Sequence, residues 1–150
     1  MGRSPQCCKA RGAAGLRPDP QWIEDRFWVW IHYAATKLAR GELFEVIDML
    51  GLLRAQVLVP LAVHAQGLPP QGVRRAETYV PEYIPALEMT LAKHEPESCG
   101  LALQAALTLY RELRQPYLAS LHAARAEAEA AAVEYLASVL KRAGNSAPKR

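Results

Sequence analysis

Asp19 to Leu61 reads D-P-Q-W-I-E-D-R-F-W-V-W-I-H-Y-A-A-T-K-L-A-R-G-E-L-F-E-V-I-D-M-L-G-L-L-R-A-Q-V-L-V-P-L, and this stretch decides the fold. Asp19 can accept hydrogen bonds from the free amides of a helix start, and Pro20 suits the first helical position. Ile23, Phe27, Trp30, Ile31, Ala34 and Leu38 then recur at intervals of three and four, which predicts one buried helical stripe ending near Gly41. Val46, Leu50, Leu53, Val57 and Leu61 repeat the pattern in a second helix from Glu42 to about His64, which Pro60 should bend or end. Gly41 is the expected tight joint between the two.

The rest of the chain extends this pattern. Gly67 to Gly72, G-L-P-P-Q-G, cannot continue a helix and predicts a surface connection. Pro81 and Pro85 break Arg74 to Lys93 into a short helical turn followed by a helix through Ala86, Leu87, Thr90 and Leu91. A fourth helix is expected from Glu95-Pro96 to about Pro116. A fifth is expected from Pro116 to Ala143, with Gly144 as its C-terminal cap. No segment alternates apolar and polar residues, and alanine with leucine make up roughly three residues in ten. The reading is therefore an all-α, up-and-down bundle of about five helices over 19–143, with a flexible basic leader at 1–18 and a frayed tail at 144–150.

Composition bounds the function. The 150 residues are 51% hydrophobic and 22% charged, with 18 basic against 15 acidic side chains, as in one ordinary globular domain. A net charge of +3 without a basic cluster argues against a nucleic-acid partner. Three cysteines (Cys7, Cys8 and Cys99), two of them vicinal, favour a reducing compartment, hence a cytoplasmic location. The leader has no apolar run fit for export, and Gln6 stands where a myristoylation start at Met1-Gly2 would need Ser or Thr. The longest apolar run, Met49 to Val63, is interrupted by Arg54, Gln56 and Pro60 and is shorter than the ~20 residues of a bilayer span, so no membrane partner is expected.

The chemistry is mostly defined by what is missing. Asp19, Asp25 and Asp48 form no D-x-D pair, His32, His64, His94 and His122 show no metal-ligand spacing, and Walker, dinucleotide and nucleophile-elbow motifs are absent. No catalytic residue and no metal ligand is assigned. On the first helix, about 100° per residue gathers Asp25, His32, Tyr33, Thr36 and Arg40 on one polar face, bordered by Arg26 and Lys37. Arg26 and His32 match the R-x-x-x-x-x-H spacing of HEPN-type helical ribonucleases, but six residues turn them about 120° apart. His32 is more simply a hydrogen-bonded interface histidine. Lys37, Arg40, Glu42 and Glu45 offer either a phosphate contact or a solvated helix junction. Trp22, Trp28 and Trp30 are expected at the core or its junctions, though Trp28, off the main stripe, could instead line a partner surface. The Ala-rich run Ala123 to Ala132 would permit close approach of a neighbouring helix and a homodimer.

The words F-W-x-W-x-H-Y at Phe27 to Tyr33 and K-L-A-R-G-E-L-F-E at Lys37 to Glu45 resemble the C-terminal helical domain of bacterial nucleotidyltransferases related to aminoglycoside adenylyltransferases. Looser similarity continues through P-Q-G-V-R-R at Pro70 to Arg75 and Y-R-E-L-R at Tyr110 to Arg114. The resemblance implies a helical domain that closes the cleft of an α/β catalytic domain carrying G-S and D-x-D elements, which this sequence lacks. It implies Lys37 and Arg40 near nucleotide phosphates, and Asp25, His32 and Glu42 facing the acceptor substrate. It further implies that magnesium and a nucleoside triphosphate bind only together with a catalytic α/β chain, and that this chain alone is inactive.

Overall fold

A computed structural model describes residues 17–146, and the regular structure among them is entirely helical. The expectations placed on Cys7, Cys8, the Met1-Gly2 start and most of the leader lie outside the described residues. Among the described residues there are seven α-helices: α1 (Pro20–Ala39), α2 (Leu43–Leu53), α3 (Val59–Ala65), α4 (Ala76–Tyr79), α5 (Ile84–Glu88), α6 (Pro96–Leu113) and α7 (Ala126–Asn145). The all-α reading holds, while the count of about five becomes seven, five of them of at least seven residues.

Helix α1 is the centre of the bundle and packs against α7, α2 and α6. It starts as expected: Asp19 Oδ1 accepts from the backbone N–H groups of Gln21 and Trp22 at 3.0 and 3.1 Å. It stops at a left-handed Gly41 (φ 73°), where the Gly41 N–H bonds Leu38 O and the Glu42 N–H bonds Lys37 O. That paired closure needs a positive φ, which glycine adopts without steric cost. Its buried side chains are Ile23, Glu24, Phe27, Trp28, Ile31, Ala34, Ala35 and Leu38. Trp30, placed on the stripe from spacing, is only partly buried, and Trp28 takes its place in the core.

The second helix is continuous from Leu43 to Ala65 but contains a π turn at Arg54–Leu58, where the Val59 N–H reaches Arg54 O. Pro60 explains the turn. It has no N–H, and in an α register its ring would press on the carbonyl four residues earlier; widening the coil at that point relieves the clash. So Pro60 neither ends nor breaks the helix, and Val59 to Val63 are all buried. At 23 residues, this helix is long and apolar enough to cross a membrane by length and composition, which the sequence reading did not expect. More than half of its apolar window is buried inside the fold, as in the core helix of a bundle.

Two further boundaries move. Gln115–Ser120 forms a 3-10 segment and 121–125 a non-helical tether, so the last helix begins at Ala126 rather than at Pro116. Gln21 holds the tether: its Oε1 accepts from the His122 and Ala123 N–H groups, and its Nε2 donates to Ala123 O. Gly144 does not cap α7, which runs on to Asn145 and is closed by Ser146. Where α6 crosses α7, Gly100 lies so close to Leu140 that a Cβ there would collide with the leucine side chain.

Candidate functional site

The polar residues picked from sequence separate into two groups on opposite borders of α1. Asp25 and His32 lie on the α7 side. Arg125 Nε and Gln21 Nε2 both donate to Asp25 Oδ1 at 2.8 Å, and these bonds, first that of Arg125, hold the carboxyl below its ordinary range. His32 is exposed and stacks on Tyr135 of α7, with ring centroids 4.5 Å apart. The expected hydrogen bond is replaced by this stack. Arg26 turns the other way, its guanidinium 4.3 Å above the Trp22 ring and its Nη1 donating to Trp22 O. Arg26 and His32 therefore have different partners and do not converge.

Lys37, Arg40 and Glu42 meet at the α1–α2 corner shaped by Gly41. Lys37 Nζ donates to Glu42 Oε2 at 2.7 Å, and Arg40 Nη1 lies 3.6 Å from Glu42 Oε1. Beside them the Tyr33 hydroxyl donates to Glu45 at 2.9 Å, and Lys37 Nζ lies 5.2 Å over the Tyr33 ring. The Glu42 contact raises the Lys37 ammonium above its ordinary range and the same bond lowers the Glu42 carboxyl, while Glu45 pushes the Tyr33 phenol up. Two cations face two carboxylates, so the corner is neutral. A triphosphate arriving at Lys37 and Arg40 would meet the carboxylate that already holds both. Among the described residues no three His, Cys, Asp or Glu side chains are grouped closely enough to hold a metal ion. The corner by itself does not fit magnesium-bound triphosphate.

Sequence reasoning missed the strongest polar constellation, centred on Glu24. Its side chain has no solvent exposure, yet it accepts from Trp28 Nε1 at 3.0 Å, the Tyr110 hydroxyl at 2.6 Å, Arg114 Nη1 at 3.0 Å and the Arg125 N–H at 3.1 Å. Arg114 Nη2 and Arg111 Nε each reach Glu129 of α7 at 2.7 Å. Burial alone would raise the Glu24 carboxyl. The bonds from Tyr110, Trp28 and the Arg125 backbone, together with the Arg114 charge, outweigh it, and the group lies below its ordinary range. Burial and the Glu24 bond drive the Tyr110 phenol far upward, so it stays a donor. Trp28 is thus a core residue and not a partner surface. The available signal was an acid at position 24 inside the apolar stripe, four residues before a tryptophan.

A hollow of about 500 Å³ opens beside Trp22, between the start of α1 and the π turn, with Arg17, Asp19 and Gln56 among its polar walls. Compared with protein-family models, with curated proteins and with solved structures, the chain finds no match.

Proposed function

We propose that this chain is a helical accessory and substrate-binding domain of nucleotidyltransferase type, working against a catalytic α/β chain and incomplete without one. The observation that supports it is the α1–α2 corner: Tyr33, the last residue of the first word of the resemblance, meets Lys37, Arg40, Glu42 and Glu45 of the second on one patch of surface. In this reading magnesium and the nucleoside triphosphate arrive with the partner chain, and Lys37 and Arg40 turn to phosphate only when Glu42 is drawn away. Asp25 and His32, on the α7 side, serve the acceptor.

Reconstitution tests this. Mixed with an α/β chain bearing G-S and D-x-D elements, magnesium and ATP, the protein should support transfer of AMP to an acceptor. Lys37→Ala should lower that transfer by about tenfold or more, the scale of one charge-assisted contact. A stable complex without transfer, or transfer indifferent to both Lys37→Ala and Arg40→Ala, would overturn the reading.

A further inference from the structure

A second surface, independent of that corner, lies where α5 passes into α6. Met89, Leu91 and Leu101 are 64%, 61% and 55% exposed and line one hollow of about 310 Å³. Isolated exposed apolar side chains are ordinary; three in one concavity, amid a polar rim, are the pattern of an interaction site. Their exposure is built into the fold. Between Met89 and Leu91 sits Thr90, fully buried, its carbonyl taking a 2.7 Å bond from Arg54 Nη1 and its hydroxyl bonding Leu87 O. With Thr90 drawn inward, its two neighbours are turned outward. The following loop is tied to α6 by the Lys93 N–H donating to Ser98 Oγ at 2.9 Å.

Charge decides what fits. Glu88, Glu95 and Glu97 surround the hollow with Lys93 as the opposing charge, and none of the four joins the ion pairs of the described residues. Acids at the start of α6 are what the helix field favours, so Glu95 and Glu97 need no ligand to explain them. Glu88 closes α5, the end at which that field disfavours an acid, and it faces the same hollow. We propose that this hollow docks a cationic polypeptide segment of a partner protein, anchored by its own aliphatic side chains and flanked by Lys or Arg. An apolar floor inside a carboxylate rim repels phosphates, which disfavours nucleic acid and anionic lipid. It matches the apolar centre and charged margin by which amphipathic helices are held in grooves.

The probes are a fluorescent Leu-Lys amphipathic peptide and its Leu-Glu counterpart, titrated into the full chain. The Leu-Lys peptide should bind saturably, about tenfold tighter or more than the Leu-Glu peptide, and loosen with salt. The combined change Glu88→Gln, Glu95→Gln and Glu97→Gln should remove that preference, and Leu101→Ser should weaken binding by about tenfold. All four positions are exposed, so the variants should keep the parent circular dichroism, and Val29→Ser, exposed on α1 and outside the hollow, should bind like the parent. Equal binding of both peptides, or indifference to the Gln and Ser changes, would overturn the proposal. So would Met89 methyl signals that shift with protein concentration before any probe is added, which would give the hollow to a second copy. Capture by phosphatidylserine vesicles that Leu101→Ser abolishes would overturn it as well.

Discussion

Two clusters in this molecule use the same parts, glutamates bonded to basic side chains and to a tyrosine hydroxyl, with opposite consequences. At the α1–α2 corner, Glu42 joins Lys37 and Arg40 across one turn, and its side chain is 39% exposed. Inside the bundle, Glu24 ties α1 to the end of α6 and to the tether that precedes α7, with no exposure at all. Water competes for every bond of the first cluster and for none of the central bonds of the second. An exposed pair gains modest attraction, reduced further by side-chain entropy and salt. A buried carboxylate with four donors is costly to form but far costlier to leave half-formed. The comparison teaches that proximity of charge in a sequence marks neither function nor stability until the surrounding solvent is known.

The sharpest way to break the comparison is Glu24→Ala. It strands the Trp28 indole N–H and the Tyr110 hydroxyl, leaves Arg114 with Glu129 as its one carboxylate, and should lower unfolding free energy by about 3–5 kcal/mol in urea titration, the scale of a buried pair losing one partner. A loss no greater than that of a surface change would refute the assignment of Glu24 as the keystone of the interior. Acid sharpens the same contrast. Because the Glu24 carboxyl lies below its ordinary 4.5 in the folded protein, its stabilisation is complete above that pH and disappears as pH falls through the folded value. Unfolding midpoints measured downward from neutrality should therefore drop in that acidic window, and Glu24→Gln should flatten the drop. An equally steep acid limb in Glu24→Gln would place the titrating group elsewhere. The smallest effect is expected of Glu42→Gln, which should leave the urea midpoint within measurement scatter and remove part of its sensitivity to salt. A large loss there would mean the corner carries structural weight that its exposure denies.

Much of the frame is legible in the sequence because helices are local. The cap at Asp19, the turn at Gly41 and the apolar spacing on α1 and α6 all follow from residues within a few positions of one another. The interruption at Pro60 was visible, but not its outcome, since a helix with buried flanks accommodates a proline by widening rather than by ending. The polar face of α1 was legible as polar, but its division was not. Lys37 and Arg40 are claimed by Glu42 at the adjoining corner, whereas Asp25 and His32 are claimed by Arg125 and by Tyr135 of α7, about a hundred residues away in the chain. Glu24 was hidden for the same reason: Tyr110, Arg114 and the tether at Arg125 approach it from about a hundred residues downstream. Trp28 followed it into the interior.

The π turn in the second helix has one more consequence. A single widened coil acts as a phase shift: residues after it are rotated relative to the stripe that precedes it, by about the 100° that one added residue contributes. Before the turn the helix hides one edge and leaves Phe44 and Leu52 in solvent, whereas after it Val59 through Val63 are enclosed on every side. One residue's worth of slack lets a single rod lie half in solvent along its first stretch and wholly enclosed from Val59 to Val63.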